Sequence, residues 1–123
     1  MIQISELRIG NLIQEGKVEQ IDNSIDEIYY SGDGYYLSNY CCNLNAIPLT
    51  KEWLLKFGFF KYNNAYVLEK PNENTMDFSF SVWQDMTYNS SEFPVKLDYV
   101  HQLQNLYFAL IGSELQVVAQ AVP

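Results

Sequence analysis

The chain has 123 residues, 48% hydrophobic and 15% aromatic, which suits one compact domain and gives no case for disorder. Seven Lys and Arg stand against fifteen Asp and Glu, a formal charge of −8 at pH 7. That balance argues against direct nucleic-acid binding and against anionic membrane, both of which are read through cationic surface.

The acids are unevenly spread, with net charges of −5 over residues 1–47, +1 over 48–75 and −4 over 76–123. Met1 to Gly10 has neither the basic nor the continuous apolar region of a secretory signal, so the cytosol is the expected location. The longest apolar run, Leu106 to Ile111, is far shorter than the ~20 residues that cross a bilayer.

In chain order, Leu12-Ile13 and Val18 with Ile21 flank Glu15-Gly16, and Ile28 to Tyr30 and Tyr35 to Leu37 flank Ser31 to Gly34. Each Xaa-Gly pair can supply the positive φ of a tight hairpin, so residues 1–47 read as a β-rich, acidic part with a small antiparallel sheet. Cys41 and Cys42 are neighbours that cannot easily close a disulfide, and both are expected reduced.

Residues 48–123 read as helix, hairpin, strands and helix. Thr50 is an N-cap candidate, Trp53, Leu54 and Phe57 form a helical face, and Gly58 supplies the stop. Phe59 to Tyr62 and Ala65 to Leu68 flank Asn63-Asn64, which predicts a second hairpin, followed by a polar loop at Pro71 to Thr75. Phe78, Phe80 and Val82 alternate with Ser79, Ser81 and Trp83, the pattern of a strand with one buried face, and Phe93, Val95 and Leu97 repeat it after a loop at Asn89 to Glu92. Pro94 places the latter strand on an edge.

A longer helix is predicted over Tyr99 to Ile111, capped by Asp98 and ended by Gly112, with Val100, Leu103, Leu106, Tyr107 and Leu110 on its inner face and Phe108 turned outward. Leu115, Val117 and Val118 suggest a last strand, and Val122-Pro123 a fraying tail. The fold class is therefore α+β, with one short and one longer helix packed on antiparallel sheet.

Chemistry is thinly provided for. His101 is the lone histidine; a hydrogen-bonded or surface role is expected of it, ahead of acid–base catalysis. No papain-like signature surrounds Cys41 and Cys42. Two vicinal thiols and one distant imidazole lack zinc spacing, and neither Asp22 to Glu27 nor Asp33-Gly34 completes a calcium loop, so no metal or cofactor is expected.

Tyrosine is the unusual local feature. Tyr29, Tyr30, Tyr35, Tyr36 and Tyr40 fall within twelve residues, among Asp22, Asp26, Glu27 and Asp33. Because strand neighbours point to opposite sides, the pairs 29/30 and 35/36 put phenols on both faces of the hairpin. They serve either as a contact surface for a basic partner or as packing for a thin sheet with hydroxyls at its rim.

Ile47 to Phe59 (IPLTKEWLLKFGF), Tyr99 to Leu110 (YVHQLQNLYFAL) and the opening Ile4 to Asn11 (ISELRIGN) together make up about a quarter of the chain. These segments resemble a family of small phage and prophage proteins of Bacteroidota for which no catalytic residues are established. The chain departs from that pattern after Gly112, where Ser113-Glu114-Leu115 replaces a Glu-rich continuation, and the tyrosine hairpin is individual to it.

One branch of the resemblance is similar to the inhibitor of type VI-B CRISPR RNA-guided RNases. It implies a non-enzymatic anti-defence protein in the bacterial cytoplasm whose partner is a basic CRISPR effector nuclease, alone or with its guide RNA. The alternative is a phage or prophage interaction module with no defence target. The candidate contact residues are Asp22, Asp26, Glu27, Tyr29, Tyr30, Asp33, Tyr35, Tyr36 and Phe108.

Overall fold

A computed structural model describes residues 2–32, 34–69, 79–88 and 95–118. In chain order come β1 (Leu12–Ile13), β2 (Gly16–Asp22), β3 (Glu27–Gly32), β4 (Tyr35–Tyr40), α1 (Lys51–Lys56), β5 (Phe60–Tyr62), β6 (Ala65–Glu69), β7 (Ser79–Trp83), β8 (Thr87–Tyr88), β9 (Val95–Lys96) and α2 (Val100–Ile111). Short 3-10 turns stand at Ile4–Glu6 and Cys41–Asn43. The fold is α+β, with two antiparallel sheets ordered β1-β2-β3-β4 and β5-β6-β7-β8-β9. The chain forms two compact units, Met1–Pro48 with Tyr99–Asn105 and Leu49–Asp98 with Leu106–Pro123.

In the first unit, Ile13 pairs with Gly16 and Gly32 with Tyr35, so two residues separate the strands of the β1–β2 and β3–β4 hairpins, against four between Asp22 and Glu27 of β2–β3. Both glycines take the positive φ expected of them, 84° at Gly34 and 154° at Gly16, and at Gly16, the first residue of β2, a Cβ would also collide with the Ser31 carbonyl oxygen of β3, so that this glycine serves close strand approach as well. A register shift between Val18 and Gln20 lets Val18 and Ile21 both reach the core although three residues apart, and leaves Glu19 and Gln20 on the other side.

That core gathers Ile2, Leu7, Ile13, Val18, Ile28, Tyr30, Cys41 and Leu44. Polar side chains from the start of α2 tie down the first residues of the chain. Gln104 accepts from the Leu12 N–H at 2.8 Å and donates to the Gly10 carbonyl at 3.3 Å. Asn105 accepts from Arg8 Nη1 at 2.8 Å and Asn11 Nδ2 at 2.9 Å, and donates to the Glu6 carbonyl at 2.7 Å. Buried amides such as Asn11 and Gln104 are tolerable because they are bonded in this way.

In the second unit, Thr50 caps α1 by accepting from the Trp53 N–H at 3.4 Å, and Gly58, at φ 96°, ends it. Asn63, at φ 55°, turns the β5–β6 hairpin. Phe80 is the hub of the core, its ring 6.1 Å from Phe59, 4.8 Å from Tyr88 and 5.4 Å from Tyr107. Phe80 and Val82 point inward from β7 while Trp83 is exposed, as the alternation predicts. Strand β9 is an edge strand, as expected for it.

Several expectations are corrected. Residues 115–118 form no strand: Leu115 is buried, but Val117 and Val118 are exposed, and the segment is held to α1 by Val118 N–H donating to the Lys56 carbonyl at 2.9 Å. Val95 is exposed rather than core. Helix α2 starts one residue late, with Tyr99 rather than Asp98 in the cap position: the Tyr99 carbonyl accepts from Gln102 N–H, and its own N–H donates to Gln102 Oε1 at 3.1 Å. Leu110 is exposed and Leu106 only half-buried, while His101 and Gln104 are buried. Asp33, Phe78, Phe93, Pro94, the loops at 71–75 and 89–92 and the tail at 122–123 lie outside the described residues.

Candidate functional site

The register of β2, β3 and β4 sorts the tyrosines. Directly paired residues of antiparallel strands project to the same side. Ile21-Ile28-Asn39 and Val18-Tyr30-Leu37 therefore form rows on the core side. Asp22-Glu27-Tyr40, Gln20-Tyr29-Ser38 and Lys17-Ser31-Tyr36 form rows on the other.

Tyr30, 7% exposed, belongs to the core and drops out of the candidate surface. Tyr36 and Tyr40 are 60% and 54% exposed on the opposite face, where the half-buried Tyr29 stacks on Tyr36 with ring centroids 6.3 Å apart. Tyr35, 68% exposed, and Leu37 project from β4 on the core side. Since β4 is an edge strand, exposed rings flank a row of backbone groups that no strand of this sheet pairs.

Three carboxylates share the outer tyrosine face. Tyr29 Oη donates to Glu27 Oε1 at 2.9 Å and Ser31 Oγ to Glu19 Oε1 at 2.9 Å. Asp22, opposite Glu27 across the strands, accepts from the Ser24 hydroxyl at 2.6 Å and its N–H at 3.1 Å. The hydrogen bond to Glu27 and the charge of that carboxylate, followed by burial and by the charge of Asp22, hold the Tyr29 phenol above its ordinary pKa. The Asp22–Glu27 pair places like charges directly across the strands, which is mildly unfavourable for folding.

The remaining described acids of residues 1–47 are dispersed. Asp26 occupies the β2–β3 turn at φ 54° and lines a cavity of about 360 Å³ with Cys41 and Cys42. Glu15 accepts from Asn45, and Glu6 stands beside His101. Phe108 is 39% exposed, facing outward as expected, and belongs to the second unit. The tyrosine face thus unites Asp22, Glu27, Tyr29 and Tyr36 of the sequence candidates and adds Glu19 and Tyr40. Glu19 was missed because the bulge that turns it outward leaves no mark in the alternation.

The nucleophile candidates are not arranged for catalysis. Cys41 is buried, its Sγ donating to the Ile2 carbonyl at 3.3 Å, and burial, then the charge of Asp26, pushes the thiol pKa up. Cys42 is exposed and directed at Asn43. His101 is hydrogen-bonded to neither thiol. Nor is it the surface or hydrogen-bonded histidine expected from sequence, since it is buried with neither ring nitrogen in a hydrogen bond among the described residues. No group of three or more His, Cys, Asp or Glu among the described residues is placed to hold a metal ion, and no helix there is long and apolar enough to cross a membrane.

Comparison with protein-family models, with curated proteins and with solved structures returned no match.

Proposed function

We propose that this chain is a non-enzymatic binding protein whose tyrosine face, on β2, β3 and β4, docks on a positively charged protein. The observation that carries this reading is the juxtaposition of the Tyr29–Tyr36 stack and exposed Tyr40 with Asp22, Glu27 and Glu19 on one side of the sheet. Tyrosine contributes large contact area at little rotamer cost, and carboxylates around it steer a basic partner and disfavour a second acidic copy. The bonded, raised-pKa Cys41 and the separation of His101 from both thiols in the hydrogen-bond pattern support a role without bond-making.

The segments resembling phage and prophage proteins of Bacteroidota direct the choice of partner to a type VI-B CRISPR RNA-guided nuclease in the bacterial cytoplasm. Co-expression with such an effector, its guide and a targeted transcript tests this. Wild-type protein should suppress RNA interference, and the Glu27→Gln/Tyr36→Ser variant should bind at least tenfold more weakly and restore it. Undiminished interference beside the wild-type protein overturns the nuclease as target and leaves the face to a phage or prophage interaction module.

A further inference from the structure

A second place in the first unit is left unused by the tyrosine face. A cavity of about 200 Å³ is lined by Glu6, Gln14, Asn45, Tyr99 and His101, all of that unit. Its hydrogen-bonding character is one-sided. Gln14 commits its NH2 to the Ala46 carbonyl at 2.9 Å and Asn45 commits its own to Glu15 Oε2 at 2.9 Å, so each amide has its oxygen left to offer. Glu6 accepts from the Gln3 N–H at 3.1 Å through Oε2, the same oxygen that stands nearest His101, and a carboxylate keeps further acceptor capacity beyond that one bond.

His101 is 1% exposed, with both ring nitrogens unpartnered among the described residues. Its Nε2 lies 3.8 Å from Glu6 Oε2, too far for a direct hydrogen bond but a gap that one donor-rich group can bridge. Burial holds the imidazole below its ordinary pKa, against the opposing charge of Glu6, so that at neutral pH the ring is uncharged and carries an acceptor nitrogen. No Lys or Arg lines the cavity, which leaves an anion unanswered, and the ligating groups for a metal ion are too few.

We propose that this cavity binds a guanidinium or primary ammonium group, with Glu6 taking its charge, His101 and the amide oxygens of Gln14 and Asn45 accepting its N–H groups, and Tyr99 supplying aromatic surface. Tyr99 and His101 stack at 5.8 Å with an interplanar angle of 12°, which fixes the imidazole on one side of the cavity, and aromatic rings attract such cations. The proposal is independent of the tyrosine face, with which the cavity shares no lining residue. The cation is either a dissolved small molecule or the basic side chain of another protein.

The lone histidine provides the readout. Methylguanidinium chloride is titrated into the intact protein while the His101 imidazole resonance is followed by NMR, with sodium chloride as the ionic control. A saturable shift in the low-millimolar range is expected, weakened at least tenfold in Glu6→Gln, an exposed position where the substituted side chain still accepts from Gln3. Tighter binding of acetyl-Gly-Arg-Gly-amide than of methylguanidinium assigns the site to a protein side chain, and equal or weaker binding to a dissolved cation. A shift no larger than the sodium chloride control, or unchanged affinity in Glu6→Gln, overturns the proposal.

Discussion

At the level of single residues, His101 and Asp22 pull in different directions. Burial keeps His101 neutral in the fold, opposed by Glu6, whereas the unfolded chain titrates it near ~6.5. Its folded pKa is the lower, so the unfolded state binds more protons and stability falls as pH drops below that value. Urea unfolding at a series of pH values from 7.5 to about 5, above the usual carboxylate range, should show this loss, and His101→Phe should flatten it. Asp22 faces Glu27 across β2 and β3, and Asp22→Asn keeps an oxygen for Ser24 while removing the like charge. It should raise stability by roughly 0.2–1 kcal/mol and weaken association with a basic partner. A gain in stability with unchanged binding would detach the carboxylates from the function. That tyrosines 29 and 30 point opposite ways was legible from strand geometry alone. That Tyr30 enters the core follows from its sharing a face of β3 with Ile28, whereas the outward turn of Glu19 depends on the register shift in β2, and the burial of His101 and Gln104 depends on segments more than 90 positions earlier in the chain.

Among the elements, the hairpins and both helices could be read from local chemistry. Gly34, Asn63, Thr50 and Gly58 each do their work within a few residues, so sequence neighbours suffice to predict them. The misplaced strand at 115–118 had apolar composition but no partner strand among the described residues, and apolar composition alone does not make a ladder. Strand β8 is two residues long and went unread for want of a periodic signal. Two substitutions compare glycines that share a positive φ and differ in the space around them. Gly16→Ala drives a Cβ into the Ser31 carbonyl and should destabilise by about 2 kcal/mol or more. Gly34→Ala meets no atom within 4 Å and should cost about 1 kcal/mol, from its positive φ alone. Both are read as a lowered urea midpoint with unchanged slope. In α1, Thr50→Ala removes the cap from Trp53 and should cost ~0.5–1 kcal/mol.

For the whole molecule, the formal charge of −8 governs how the proposed basic partner would arrive. Association with a basic protein should slow as ionic strength rises, because charges more than ~8 Å apart are screened at physiological salt, while dissociation changes little. Stopped-flow measurement across a salt series checks this, and a salt-independent association rate removes electrostatic steering from the account.

The bonds that Gln104 and Asn105 make with residues 6–12 span 92 to 99 positions of sequence, and the first unit takes in Tyr99–Asn105. A ribosome releases the opening sheet before those closing side chains, which follow more than 90 positions later. Until then Arg8, Asn11 and the Gly10 carbonyl lack their partners from α2, and the nascent first unit is incomplete. Translation must therefore pass residue 105 before the half of the molecule that carries the tyrosines can set.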